Sequence, residues 1–363
     1  MGYAGAIANP LLYGGLLMNW GFNVDNALKR STRFGVNALP ASNAGSYAKR
    51  CDSAVRFHLA MSDLLGGLRG EPSSADVFEL KTSGPGASLL KLTRPPVTHF
   101  HKQLERVFDR ARERTDRAAE ILTQVTPQFS YWSAITGLHP SKTPKTLELI
   151  YMAVVLAAHI THQAKFWLAC PRPVEYSPGV QPVILTPPYD TYPMGHAAEA
   201  YAAAIVLEKL FAERPLGGDI GIQLRRLARR ASDNRVIAGI HFPIDAPGGY
   251  AVAEAAAGYF LAMCGQGGSK APSIVLDGTK LDDAGDHDPE KIDVANQDWS
   301  KKDAGVAGTI TKGALTVNPT DVMKAFWDTA KTELDEVMPA TPVDAQMTGE
   351  SSSPAVVAKP EAE

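Results

Sequence analysis

The spacing of apolar residues predicts a chain built mainly of helices. Apolar positions recur with a helical period at residues 53–66, 98–125, 146–169, 195–212, 219–239, 250–264 and 319–337. Pro171 and Pro173 end the third of these helices, and Thr320 is a suitable cap for the last. Strand signals are sparse, so the pattern predicts an all-α fold, a helical bundle.

The segments between these helices are polar or rich in glycine, proline and serine. We expect an irregular arm at 1–50, loops at 67–97, 126–145 and 171–194, and an exposed acidic loop at 270–308. Residues 338–363 consist mainly of proline, alanine, serine and glutamate, which predicts a disordered tail. One helical domain is therefore expected over residues 1–337, with its final helix at 319–337.

Composition excludes several kinds of partner and site. The 363 residues carry 36 basic and 39 acidic side chains, a formal net charge of −3, which argues against a nucleic-acid partner. The three cysteines are Cys51, Cys170 and Cys264. They are widely spaced and form no Cys-x-x-Cys pair, so we expect neither a disulfide framework nor a structural zinc site.

The apolar content, 45% of residues, raises the question of a membrane-crossing segment. A spanning helix needs about 20 consecutive apolar residues. Residues 149–164 are uncharged for only 16 positions, and proline, asparagine and glycine interrupt residues 1–24. Residues 1–24 also lack the basic start and small-residue cleavage site of a signal peptide. The sequence predicts no membrane span and a cytoplasmic location, with export left open.

Three short segments near helix ends, residues 165–173, 192–197 and 234–245, concentrate the residues that could do chemistry. Lys165 and Arg172 lie seven residues apart, about two helical turns, so both can point to one side of a helix near its end. Arg235 adds a third cation. Gly195 lets the backbone approach a ligand closely, and the helix that begins there offers free amide groups. Together these groups predict a pocket for an oxoanion such as phosphate or vanadate.

Two histidines could carry the reaction itself. His241 is followed four residues later by Asp245, which could accept one imidazole N–H and leave the other nitrogen basic, as a nucleophile or a metal ligand. His196 follows Gly195 directly and would be free for acid–base work. Taken singly, each of these residues also fits an ordinary structural role. The three segments together favour a site.

The order and spacing of these residues resemble those of a known superfamily. Lys165-x6-Arg172-Pro173, then Pro193-x-Gly195-His196, then Arg235-x5-His241-x3-Asp245 are similar to the motifs of type 2 phosphatidic acid phosphatases and vanadium haloperoxidases. The resemblance covers about residues 146–262. It implies a mostly helical bundle around an oxoanion site.

The resemblance also implies a role for each motif residue. His241 would be the axial ligand to vanadium or the nucleophile on phosphorus, and Asp245 would orient it. The oxoanion would be held by Lys165, Arg172, Arg235 and the Gly195 amide, and Lys165 would also polarise bound peroxide. His196 would be the general acid–base group. Tyr189, seven residues before His196, would lie near the halide, and His162 stands where the family often has an aromatic residue.

Two branches of the superfamily compete for this sequence. The missing membrane span, the chain length and the segment Pro187–Ala197 favour the soluble haloperoxidase-like branch, which implies a vanadate cofactor, hydrogen peroxide, and halide or a small organic substrate. The alternative is a soluble acid phosphatase that hydrolyses phosphomonoesters through a phosphohistidine. A homodimer remains open for either branch.

Two positions depart from the family pattern. Met194 stands where the family usually has a serine that donates a hydrogen bond to the oxoanion, and a thioether cannot donate. Losing a donor to a charged group could cost about 1.5–3 kcal/mol. Asn234 replaces a serine in many members, but its amide can still donate. Met194 therefore also permits a third hypothesis, a catalytically weakened oxoanion-binding protein.

Overall fold

A computed structural model describes residues 43–83, 88–281, 283 and 308–339 of the chain. The chain is mostly helical, and it also contains a five-stranded mixed sheet. Most of the predicted arm at 1–50 and nearly all of the predicted tail at 338–363 lie outside the described residues. The same is true of most of the acidic part of the 270–308 segment.

The predicted helices are present, but short helices also form inside the segments predicted to be the irregular arm at 1–50 and the loops at 126–145 and 171–194. They are α1 Ala44–Arg50, α2 Ser53–Gly66, α3 Val97–Arg110, α4 Arg114–Thr123, α5 Phe129–Thr136, α6 Pro144–Leu168, α7 Pro173–Tyr176, α8 Gly195–Phe211, α9 Gly217–Ile237, α10 Asp245–Met263 and α11 Asp321–Val337. The predicted helix at 98–125 is two helices joined by a 3-10 turn at Ala111–Glu113. The predicted cap is confirmed, since the Thr320 side chain accepts a hydrogen bond from the Met323 amide.

The prediction of an all-α fold was wrong in one respect, because segments predicted as loops form a sheet. Its strands are β1 Leu68–Ser74, β2 Val77–Thr82, β3 Leu90–Thr93, β4 Lys270–Asp277 and β5 Gly308–Thr316, hydrogen-bonded in that order. β3 and β4 run parallel, and the other neighbours run antiparallel. Phe78, Leu80, Leu90 and Leu92 alternate with more exposed residues and are fully buried. This period-2 signal spans too few residues to stand out beside the helices.

The centre of the molecule is formed by α6, α8 and α10, whose buried faces are rich in alanine. Small side chains let α8 and α10 lie close together at the ends where both begin. At Gly249, in the first turns of α10, an added Cβ would lie 2.4 Å from the Met194 carbonyl oxygen. This close approach places the 234–245 segment beside the start of α8, where the second motif lies.

One helical stretch bears on the membrane prediction. Within the described part of the chain, Pro144–Tyr176 has the length and mean hydropathy, 1.2, of a membrane-crossing helix, and 56% of its most apolar window is buried inside the protein. The core helix of a water-soluble protein passes the same test. This stretch is therefore weak support for a membrane span, and the prediction of none stays a prediction.

Candidate functional site

The three predicted segments meet at one cavity of about 280 Å³. Its polar end is lined by Lys165 and His162 of α6, Arg172 and Tyr189 of the following loop, Gly195 and His196 of α8, and His241. The opposite wall is mainly apolar and includes Val125, Pro127, Tyr151, Val154, Val155 and Ala158. Arg235, Asp245 and the Met194 side chain lie behind this lining. The fold thus brings together residues that are up to 120 positions apart in the sequence, from Val125 to Asp245.

Lys165 and Arg172 reach the cavity by different routes. The expectation that they share a helix face was wrong, because α6 ends at Leu168 and the chain turns at Ala169, which has a left-handed φ of 47°. Lys165 Nζ donates to the Asp190 and Thr191 carbonyls at 2.5 and 2.7 Å. Arg172 donates from Nε to the Tyr189 carbonyl at 2.7 Å. The loop before α8 therefore positions both cations.

Burial governs the charge of Lys165. The side chain is 2% exposed, and desolvation followed by the nearby Arg172 guanidinium lowers the pKa of Lys165 to about 7. The Asp245 carboxylate acts in the opposite direction. An anion in the cavity would raise this pKa again, because it would stabilise the ammonium form.

His241 and Asp245 form the pair that the spacing predicted. His241 Nδ1 lies 2.8 Å from Asp245 Oδ2 and 3.0 Å from the Thr191 hydroxyl. Because the carboxylate can only accept, we assign the proton to Nδ1, which leaves the Nε2 lone pair free to accept. Nε2 lies 3.2 Å from Arg172 Nη1 and lines the cavity. Asp245 thus fixes the tautomer that a nucleophile or a vanadium ligand requires.

The two members of this pair are buried and have opposite pKa shifts. Burial, reinforced by Arg172 and Lys165, lowers the pKa of His241 well below its usual value. Burial raises the pKa of Asp245 to about 6, against the effect of its hydrogen bonds from Thr191 and the Phe242 amide. At neutral pH the pair therefore consists of a neutral imidazole and a carboxylate. The imidazole keeps the lone pair that the chemistry needs.

His196 is the second residue of α8, and its hydrogen bond also defines its tautomer. Its Nε2 lies 3.1 Å from the Gln124 carbonyl, so Nε2 carries the proton and Nδ1 has a lone pair. Burial, followed by the charge of Arg235, lowers the pKa of His196 to about 3. With this pKa, His196 is neutral at neutral pH and can accept a proton at Nδ1. A bound anion would raise its pKa toward the range of a proton donor.

Arg235 is a buried cation that uses only part of its hydrogen-bonding capacity within the described residues. Its side chain is fully buried, and Nη2 donates to the Ile121 carbonyl at 3.0 Å and to Gln124 Oε1 at 3.4 Å. Its Nε and Nη1 atoms have no hydrogen-bond partner within the described part of the chain. Burial lowers the pKa of Arg235 to about 10. A buried cation with unused donors is costly unless an anion accepts from it.

These groups fit a tetrahedral or trigonal-bipyramidal oxoanion. Lys165 and Arg172 line the cavity together with His241, the charge of the buried Arg235 also acts on His241, and the first amides of α8 lie at a helix N-terminus. No cluster of three or more metal-binding side chains is found among the described residues. Vanadate does not need such a cluster, since His241 would be its one protein ligand.

The Met194 side chain is in the hydrophobic core rather than in the cavity lining. It is 0% exposed and packs within the main core, while its backbone amide donates to the Asp245 carbonyl at 3.0 Å. The thioether therefore neither replaces the usual serine donor nor faces the cavity, and the core shields it from oxidants there. The site lacks the donor that the family pattern would place at this position.

Replacing Met194 with serine is expected to destabilise the protein. The change removes buried apolar atoms, for which the cost is about 2–5 kcal/mol in the free energy of unfolding. Urea denaturation measures this loss, and Met194→Leu, which conserves volume, should lose less than about 1.5 kcal/mol. Equal stability of the serine variant and the wild type would show that this position tolerates loss of packing.

Tyr189 and His162 form the rim of the cavity. Their rings meet edge to face with centroids 4.9 Å apart, and the Arg172 guanidinium lies 5.0 Å from the Tyr189 ring centroid. Tyr189 is 44% exposed, so it also faces the solvent. The residue predicted to lie near a halide is therefore at the mouth of the cavity, next to a permanent cation.

Sequence reasoning missed four residues of the site. Thr191 holds His241 and Asp245, Gln124 contacts His196 and Arg235, and Thr161 and Glu199 line the cavity. Only Glu199 has a sequence signal, since it is the one charged residue in the apolar run 197–207 at the start of α8. Gln124 and Thr161 lie on elements whose approach to the site only the tertiary fold reveals.

Comparison with models of known protein families and with curated proteins gives no match. The functional interpretation therefore depends on the spacing of the three motifs and on the geometry of the cavity. Both concern the same residues, which is the basis for the proposal that follows.

Proposed function

We propose that this protein is a vanadium-dependent haloperoxidase-like enzyme, with vanadate held at His241 in the cavity. The observation that carries the proposal is the buried Arg235, whose Nε and Nη1 atoms have no hydrogen-bond partner among the described residues and whose charge acts on His196, which lines the cavity with Lys165 and Arg172. Such an arrangement is unfavourable in a ligand-free protein and becomes favourable when an oxoanion accepts from these groups. A helical bundle of the haloperoxidase type is part of the same proposal.

Each part of the site has a function in binding. His241 Nε2 would be the ligand to vanadium, and Lys165, Arg172, Arg235 and the Gly195 amide would hold the oxygens. When bound, vanadate activates hydrogen peroxide for oxidation of a halide. In the structure Arg172 Nη1 donates to His241 Nε2. When the ligand binds, Nη1 would donate to an oxygen of the ligand instead. The Asp245 carboxylate keeps the imidazole proton on Nδ1 throughout.

Two side chains would manage the protons. His196 lines the cavity with its lone pair on Nδ1, and the negative charge of an oxoanion would favour its protonated form. Lys165 has a pKa of about 7 and so can hold or release a proton near neutral pH. Tyr189 and the apolar wall formed by α6 would exclude water from one side of the cavity.

Parallel assays test the proposal against its alternatives. The purified protein is incubated with orthovanadate, and bromination of monochlorodimedone with bromide and peroxide is compared with phosphate release from p-nitrophenyl phosphate. We expect halogenation that depends on vanadate. Phosphatase activity that vanadate inhibits would instead establish the acid phosphatase. Inactivity in both assays with vanadate bound in calorimetry would indicate a non-catalytic oxoanion-binding protein, and no binding would refute all three.

When an oxoanion binds above neutral pH, we expect Lys165 to take up a proton. The pKa of Lys165 is lowered to about 7, so at pH 8.5 most ligand-free molecules hold the neutral amine, and an anion restores the ammonium. The titration of Lys165 by itself is expected to lower the affinity for tungstate, which has no proton to lose in this range, by up to about tenfold per pH unit above 7. Calorimetry in buffers of different ionisation enthalpy counts the protons taken up.

Lys165→Arg is the matched control for this proton. A guanidinium stays charged throughout, so the variant should take up about one proton fewer than the wild type on binding tungstate. Equal proton uptake by the two proteins would show that Lys165 is already charged before the anion binds.

A further inference from the structure

Glu199 is a carboxyl group inside a site that is otherwise built for an anion. It lines the same cavity as Lys165, Arg172, Gly195, His196 and His241. It lies four residues after Gly195, one helical turn further along α8. Its Oε1 atom lies 3.9 Å from the position that a Cβ on Gly195 would occupy, so the carboxyl group is next to the helix start where the oxoanion is proposed to bind.

The surroundings of Glu199 favour a neutral carboxyl group. Burial raises the pKa of Glu199 to about 7, and the charge of Lys165 on α6 acts in the opposite direction. Tyr189, on the loop before α8, also interacts electrostatically with it. His162, Arg172, His196 and His241 complete the titratable and charged groups that line the cavity. An oxoanion would add negative charge nearby and favour the neutral form further.

The Glu199 carboxyl group lies in a site that lacks a side-chain hydrogen-bond donor at position 194. The residue before Gly195 offers the site no side-chain donor, because Met194 carries a thioether and is turned into the core. A neutral carboxylic acid has one O–H donor, and a carboxylate has none. We infer that Glu199, in its protonated form, donates a hydrogen bond to the bound oxoanion and so supplies the donor that Met194 lacks. This inference rests on the proposed oxoanion site.

Glu199 would make oxoanion binding depend on pH as well as strengthen it. Once deprotonated, the carboxylate would repel the ligand instead of binding it, so the site would hold oxoanions tightly only below the pH at which Glu199 loses its proton. The glutamine variant separates the two effects, because its amide keeps a donor and never acquires a charge. A merely structural role for Glu199 would not depend on pH in this way.

The experiment measures tungstate affinity by calorimetry at pH 6.0 and 8.5 for the wild type, Glu199→Gln and Glu199→Met. Tungstate is a dianion across this range. Because Glu199 and Lys165 interact electrostatically, the three proteins are also compared in the Lys165→Arg background, where the cation stays charged and the ratio of affinities isolates Glu199. We expect Glu199→Gln to match the wild type at pH 6.0 and to bind roughly tenfold or more tightly than it at pH 8.5. Glu199→Met, without a donor, should bind roughly tenfold less tightly than Glu199→Gln at both pH values.

The outcomes separate this inference from the proposed function. Melting temperatures confirm that the variants are folded. Equal affinities of the three proteins at both pH values, or a ratio of wild type to Glu199→Gln that does not change with pH, would overturn the inference and leave the oxoanion site intact. A wild type that binds neither tungstate nor orthovanadate would overturn the proposed function and this inference together.

Discussion

Replacing His241 with alanine is expected to reduce the oxoanion-dependent activity by at least about a thousandfold, because the proposed function assigns its Nε2 the bond to the central atom of the oxoanion. The loss should appear in kcat, since Lys165, Arg172 and Arg235 would still attract the ligand. The measurement is the vanadate-dependent bromination assay, or phosphate release if the protein proves to be a phosphatase. A variant that retains activity would exclude His241 as ligand and nucleophile.

The alanine variant needs a folding control, because it leaves the buried Asp245 with one donor fewer. His241→Gln is the matched variant, since its side-chain amide can still donate toward the carboxylate. We expect it to be as inactive as the alanine variant while unfolding at the wild-type urea concentration.

Asp245→Asn should retain His241 but lose the acceptor that fixes its tautomer, with a large fall in kcat of the kind known for catalytic triads.

Replacing Arg235 with methionine is expected to change stability and binding in opposite directions. In the ligand-free protein the guanidinium is fully buried, and two of its nitrogens are unpartnered within the described residues. A methionine of similar length removes this desolvated charge, so the free energy of unfolding should be unchanged or rise by about 1 kcal/mol or more. The same change removes a cation that would face the oxoanion, so tungstate affinity should fall by roughly tenfold to a hundredfold.

The opposite signs distinguish a functional from a structural arginine. Urea denaturation without ligand gives the stability, and the shift in melting temperature with added tungstate gives the binding. Arg225, which pairs with Glu208 at 2.9 Å on the surface of α9, is a matched control, and its replacement by methionine should leave the tungstate shift unchanged. A large loss of ligand-free stability in the Arg235 variant would mean that its contacts to Ile121 and Gln124 are structural.

The helices could be predicted because their signal is long and local. The predicted span 53–66 coincides with α2 Ser53–Gly66, and the Thr320 cap was identified from a single side chain. The sheet could not be predicted, because β3 and β4 pair in parallel although about 180 residues separate Leu90 from Ile274. A pairing between such distant segments has no local signal, and β3 contains only four residues.

The sequence by itself determined the chemistry of the site: three cations, two histidines, one aspartate and a helix start in a fixed order. Only the tertiary structure decided how they act. The loop before α8 turns Arg172 onto His241, and two nitrogens of the buried Arg235 have no hydrogen-bond partner among the described residues. The tertiary fold also buries Met194 and places Glu199 in the lining of the cavity. The physical reason is that spacing fixes which residues share a segment, whereas burial and charge depend on elements packed from elsewhere in the chain.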